Sequence, residues 1–249
     1  MHKKTNNWGI VIVGTVAVGA AIVVSPLPMI VLDALLAINL ILSLFILLSA
    51  VNTKKATDFS SLPIMLITVT VFSQAINVAS TRLILTKGAA FDSKMIHFFS
   101  FFAADTDGTT GLVVGFIILI AVIFAQVVLI TKVAARKLMG TITEEEAIAR
   151  NIIIQKEADF LREMGGAGKF IVGNVKNGIF LTMVNIVGGT IVGSKLHGET
   201  IEKAIRIYIP FAIGDGLIFL LSAFLLSTTV GIIVRRSISS RSVSRECIL

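Results

Sequence analysis

The stretch FSSLPIMLITVTVFSQAINVASTRLILT, Phe59 to Thr86, decides what kind of chain this is. Ser60-Ser61-Leu62-Pro63 has the form of a helix start: a hydroxyl for the N-cap and a proline in the first turn, where its missing N–H costs little. The apolar run that follows, at about 1.5 Å per residue, is long enough to cross a hydrocarbon core of about 30 Å. Towards its far end lie Gln74, Asn77, Ser80, Thr81 and Arg82. An Arg at the centre of a spanning helix costs about 2.5–3.5 kcal/mol on insertion scales. Two readings of that polar end stay open. Either Arg82 snorkels to the interface and the amides serve helix packing, or the polar groups act inside the membrane.

The rest of the chain has the same character. Of its 249 residues 55% are hydrophobic, and the mean hydropathy is +0.93. Several apolar runs reach the length of a membrane span. The expected fold class is therefore an all-α integral membrane protein with about six transmembrane helices. A net charge of +7 could mean nucleic acid, but in a membrane protein the placement of charge matters more than its sum. Cys247 is the single cysteine, so no disulfide can form within the chain. His2, His97 and His197 lie far apart in sequence with no thiol or carboxylate pattern around them, which gives no metal site. No nucleophile–base pair and no paired carboxylates point to an enzyme, and no cofactor is implied.

Outward from the central stretch, the first span runs from Trp8, an interfacial anchor, to about Ser25, where Pro26 and Pro28 end it. A second covers about Met29 to Val51, followed by a polar loop to Asp58. Beyond the central span, Lys87 to Thr109 reads as an external segment. Its phenylalanines (Phe91, Phe98, Phe99, Phe101, Phe102) would lie along the interface, and Asp105 and Asp107 would sit in a turn. A fourth span covers about Thr110 to Thr131. Residues 1–131 thus form an N-terminal four-span bundle, and 132–169 a short cytoplasmic helical segment. That segment opens with a capping box at Thr143 and Glu146 and closes on Gly165-Gly166 as a C-cap. Residues 170–236 return to the membrane, and 237–249 form a basic tail. Span five runs from about Phe170 to Gly193, with Gly189-x-x-x-Gly193 permitting close helix approach. The apolar stretch Ile205 to Val234 is long for one span. Glycines on both sides of Asp215 (Gly214 and Gly216) predict a break or kink there. With both termini cytoplasmic and six crossings, the inside segments hold fifteen Lys and Arg and the outside segments five.

Intramembrane ionisable residues are the functional candidates in such a chain. Asp215 leads, because a carboxyl withdrawn from water at that depth is suited to carrying a proton near neutral pH. Arg82 is the natural counter-charge. Asp33 and Asp159 are weaker, each reading more simply as an interfacial or helix-end charge. The structural alternative for Asp215 is a satisfied ion pair or a hydrogen-bonded packing residue.

Several segments also carry a resemblance. Asn77 to Leu85 (NVASTRLIL), the Pro26 to Asn39 pattern, Glu157-Ala-Asp-Phe160, Asn185-Ile-Val-Gly-Gly189 and Ile213-Gly-Asp-Gly-Leu217 resemble, in order, motifs of the FHIPEP family. That family comprises the export-gate membrane proteins of flagellar and virulence type III secretion. The resemblance implies a multi-pass protein of the bacterial inner membrane, assembled as a homo-oligomeric ring with other export-apparatus membrane proteins. Such a gate links ion-motive force to the export of unfolded proteins, and has the lipid bilayer rather than nucleic acid as its surroundings. It also carries Arg82, Asp159 and Asp215 over as the charged positions; Asn77, Asn185, Gly189, Gly193, Gly214 and Gly216 are the helix-packing candidates of the chain.

The sequence departs from the family at three places. Val133 to Gly140 passes straight to the Thr-Glu-Glu-Glu helix where the family has an acidic cytoplasmic loop. Ser73 stands where the family has an Arg, and the family's large C-terminal docking domain is not in this sequence. The expectation is a reduced export-gate membrane domain; the alternative is a diverged or truncated scaffold that keeps the packing without transport.

Overall fold

Seven α-helices and one 3₁₀ turn make up the described residues, 8–53, 60–104, 109–138 and 152–246, of this computed structural model. Helix α1 (Trp8–Val24) stops just before Ser25-Pro26, because the residue before a proline is disfavoured from continuing a helix. Helix α2 (Met29–Asn52) starts directly after Pro28, whose extended backbone forms the N-cap. Helix α3 (Leu62–Lys87) begins with Pro63 in its first turn, but Ser61 makes no capping hydrogen bond. The expected hydroxyl cap is therefore absent, and the proline marks the start. A 3₁₀ turn (Gly88–Ala90) leads to the short α4 (Lys94–Ala104), then α5 (Thr109–Leu138), α6 (Ile152–Lys195) and α7 (Ile201–Glu246).

Two expectations about helix ends are corrected. Gly165-Gly166 does not cap a cytoplasmic helix; α6 runs through it for 44 residues without interruption. Phe160, Met164, Ala167 and Ile171 form a stripe at helical spacing that is buried against α2, α3 and α7. That packing outweighs the roughly 1 kcal/mol by which each interior glycine disfavours a helix. The stretch 152–169 is thus continuous with the helix expected to begin at Phe170. Likewise α7 is not broken at Gly214-Asp215-Gly216 but is helical from Ile201 to Glu246. The glycines serve close approach instead. A side chain at Gly214 would run into the backbone carbonyl of Ile96 in α4, and one at Gly216 would press on Thr182 of α6 and Leu119 of α5.

α7 is the central post, packed against α2, α3, α4, α5 and α6, while α1 lies against α3. Three apolar layers surround it. At one end Ile46, Ala50, Leu62 and Leu66 meet Met164, Val230 and Ile233. At the other, Leu32, Ile84, Phe91 and Ile96 meet Tyr208 and Phe211. Between them Leu119, Val175, Leu217 and Phe219 join α5, α6 and α7. The Tyr208 ring rides on Gly189 and Gly193, where any side chain would collide with it. Phe91, expected at the interface, is buried 5.1 Å from the Phe211 ring, whereas Phe98 and Phe101 are exposed.

The outer surface is apolar, with Ile10, Ile30, Ile41, Phe45, Ile117, Phe124, Phe180 and Met183 turned outward. A water-facing domain does not present such a surface. Among the described residues, four helices are long and apolar enough to cross a bilayer, over Met29–Asn52, Leu62–Ala90, Asp159–Lys195 and Ile201–Arg236. Gly9–Val24 and Val113–Gln126 are shorter apolar helices. The expected all-α membrane architecture is what the chain adopts. The Thr143–Glu146 capping box and the Asp105–Asp107 turn lie outside the described residues.

Candidate functional site

The four charged candidates meet different fates. Arg82 does not reach Asp215. Its Nη1 donates to the carbonyls of Val23, Val24 and Ser25 at 2.8, 3.1 and 3.4 Å, closing the C-terminal end of α1. The last carbonyls of a helix lack partners along their own chain, and the negative end of the helix dipole favours a cation. Asp33 performs the reverse service for α4. It accepts from Ser93 Oγ at 2.5 Å and from the backbone N–H groups of Lys94 and Met95 at 3.0 and 3.2 Å. It therefore caps a neighbouring helix rather than favouring the dipole of its own. Asp159 is exposed and pairs with Arg162 at 3.4 Å, one turn away on α6. Arg236 repeats the Arg82 pattern at the opposite end of the bundle, donating to the carbonyls of Ala50, Val51 and Thr53 where α2 ends.

Alone among the four candidates, Asp215 serves no helix end and forms no ion pair among the described residues. It is 2% exposed and lies about 21 Å along α7 from Ile201. Two neutral donors hold it: Ser80 Oγ of α3 at 2.5 Å from Oδ1, and Asn185 Nδ2 of α6 at 3.0 Å from Oδ2. The proposed counter-charge is replaced by these two groups, because Arg82, two residues beyond Ser80, lies on nearly the opposite face of α3 and is taken up by the end of α1. The chemistry available is proton exchange. Both donors satisfy an ionised carboxylate, and the Ser80 hydroxyl can turn from donor to acceptor when Oδ1 carries a proton.

A polar ladder leads away from the carboxyl towards the Arg236 end of the bundle. Ser73, Asn77 and Ser80 recur at helical spacing on one face of α3, and all three are buried. Asn39 of α2 donates to Ser73 Oγ at 3.3 Å and to Ser222 Oγ of α7 at 3.1 Å. Ser43 and Ser222 are joined hydroxyl to hydroxyl at 2.6 Å, and Ser43 also donates to the Asn39 carbonyl. Between Asp215 and this network lies a small cavity lined by Leu36, Asn39, Ser73, Ile76, Asn77, Ile218 and Phe219 as well as Asp215, with about 10 Å³ of room for water centres. Asn39 Oδ1 and Asn77 Nδ2 have no partner there among the described residues. A second polar group, Gln74 with Asn174 and Asn177, bridges α3 and α6 and reaches the bundle surface at Asn177.

Ser43 and Ser222 were not singled out by sequence. Single serines are ordinary in membrane helices, and the available signal was their spacing, Asn39 with Ser43 and Asp215 with Ser222, which puts each pair on one helix face. Among the described residues, no group of three or more His, Cys, Asp or Glu is placed to hold a metal ion.

The sequence profile of the FHIPEP family matches the chain over residues 20–137 and 138–248. The two matched segments meet within Val133 to Gly140. Curated relatives agree. The chain is 41% identical over 260 residues to a protein of Borreliella burgdorferi named flagellar biosynthesis protein FlhA, covering 95% of this chain and 37% of the relative. It is 46% identical over 238 residues to the FlhA of Treponema pallidum, covering 86% and 34%. With the FlhA of Salmonella typhimurium it shares 35% identity over 251 residues, covering 92% and 36%. The chain thus spans about a third of the length of these relatives. No solved structure matches it significantly. The apolar bundle, the motifs clustered around Asp215 and a profile match along nearly the whole chain lead to one assignment: the chain belongs to the FHIPEP family.

Proposed function

We propose that the chain is the membrane part of a flagellar protein-export gate, and that Asp215 is its intramembrane ion-coupling carboxyl. The observation that carries the reading is the contrast among the charges. Arg82, Asp33 and Asp159 are each engaged by a helix end or an exposed ion pair, while Asp215 is buried beside a polar ladder and pairs with no cation among the described residues. A buried carboxyl held only by neutral donors is costly unless it is used. Its use here is to take up an ion from one side of the membrane and yield it to the other.

The charge balance of the linkers supports the orientation. The Arg236 end faces the cytoplasm, and the end holding Arg82 and Asp33 faces outward in a six-crossing arrangement within the bacterial inner membrane. The partners are further copies of the chain in a ring, other membrane proteins of the export apparatus, and unfolded export substrates. The names of its relatives favour flagellar over virulence export.

The test replaces the matching third of a full-length relative with this chain in a strain lacking that relative, and measures secreted flagellar protein. Secretion that is restored by the chimera and lost with Asp215→Asn supports the reading. A chimera that reaches the membrane and secretes nothing favours the non-transporting scaffold.

A further inference from the structure

We propose that the cavity beside Asp215 is a binding site for a single water molecule, and that this water connects the carboxyl to the Asn39–Ser222–Ser43 network. Two independent observations meet there. The first is room: about 10 Å³ for water centres, which is about what one molecule requires, with polar groups on several sides. The second is demand. Asn39 Oδ1 is an unpartnered acceptor and Asn77 Nδ2 an unpartnered donor, on residues only 3% and 4% exposed that both line the cavity. A buried amide atom without a partner is destabilising, and water offers what this pair lacks. Its oxygen accepts from Asn77, one hydrogen goes to Asn39, and the other is free for the Asp215 carboxylate or Ser73 Oγ. A sodium ion suits the site less well, since the Asn77 N–H would point at the cation.

With the water in place, an unbroken set of hydrogen-bonding groups runs from Asp215 through Asn39 to Ser222 and Ser43. The step from Asp215 to Ser222 covers about 10 Å along α7 in the direction of Arg236. A proton leaving Asp215 would pass to the water, giving the carboxylate and a hydronium whose hydrogens face Asp215, Asn39 Oδ1 and Ser73 Oγ, while the Asn39 amide holds this water without itself carrying the proton. Asn39 is then a positioning residue, holding the water and the Ser222 hydroxyl in line. The relay rests on the reading of Asp215 as the coupling carboxyl; the water site itself does not.

Solid-state NMR on the full chain in lipid bilayers tests both parts. With ¹⁵N-asparagine labelling, magnetisation from water should reach the side-chain amides of Asn39 and Asn77, identified by their loss in Asn39→Ser and Asn77→Ser. Transfer no greater than that to the Leu66 methyls, deep in the apolar layer, overturns the water site. Proton uptake into liposomes gives the second readout. Asn39→Leu, close in volume to the native residue, should lower the Asp215-dependent flux roughly tenfold, about the effect of one lost hydrogen bond. Flux unchanged in Asn39→Leu overturns the relay. Wild-type flux indifferent to Asp215→Asn, with water transfer still seen at both amides, sinks the ion-coupling reading and leaves the water site standing.

Discussion

Removing the Asp33 carboxylate should loosen α4 and leave the rest of the bundle in place. Its two oxygens accept from Ser93 Oγ, Lys94 N and Met95 N, so one side chain of α2 serves the first turn of another helix. In Asp33→Ala the capping acceptor is lost, at a cost of about 1 kcal/mol. The unfavourable change at the positive end of the α4 dipole adds about 0.3–1 kcal/mol. Ser93 keeps its own bond to the Ile96 N–H, and Asp33 is only half-buried, so water recovers part of the loss. The balance is about 1.5 kcal/mol, or roughly a tenfold rise in the population of opened α4. Hydrogen–deuterium exchange in lipid nanodiscs reads this directly. Amides of 94–104 should exchange roughly tenfold faster, with α3 and α6 unaffected. Asp33→Asn, which keeps one acceptor oxygen, should fall between. Exchange in α4 that does not change, or a rise spread evenly over the bundle, would refute the assignment of Asp33 as the cap of this helix.

Three further outcomes follow from the same geometry. Arg82→Leu strips the carbonyls of Val23, Val24 and Ser25, at and just past the end of α1, of their donor and should cost about 1–2 kcal/mol, seen as raised labelling of a cysteine placed at Val24; unchanged labelling would count against the cap. Gly189→Leu drives a side chain into the Tyr208 ring and should separate α6 from α7, costing at least about 1–3 kcal/mol and lowering the unfolding temperature in detergent. A variant as stable as the parent would show that the helices meet elsewhere. Ser80→Ala leaves Asp215 with Asn185 as its single donor and should destabilise the chain by about 1–3 kcal/mol in denaturant titration, an effect that Asp215→Asn made on top of it should not simply add to.

The membrane architecture was legible in the sequence because apolar runs of span length are a composition signal that tertiary structure seldom overrides. Helix ends were less so. Gly165-Gly166 has the composition of a C-cap, but the stripe Phe160, Met164, Ala167 and Ile171 finds partners on three helices and carries the helix through. Gly214 and Gly216 read as breakers for the same reason, though what they provide is room for α4, α5 and α6 against α7. Asp215 stood out in the sequence as a carboxyl in an apolar run. Ser80 and Asn185 were singled out too, but not as its partners, since they come from helices 135 and 30 residues away in sequence. The destiny of Arg82 was hidden most completely. Backbone carbonyls leave no trace in residue type, so a cation that binds a helix end looks in sequence like a cation awaiting a carboxylate.

If Asp215 carries an ion through the bundle, flux across a membrane should depend on that one side chain. The chain and two variants, Asp215→Asn and Asp159→Asn, would be reconstituted in liposomes at equal amounts after confirming equal helicity and elution. Proton and sodium uptake would then be followed under an imposed gradient. Flux is expected in the parent chain and in Asp159→Asn, whose carboxylate is exposed on α6, and should be lost in Asp215→Asn. Uptake in Asp215→Asn equal to that of the parent would contradict the account and leave Asp215 as a packing residue.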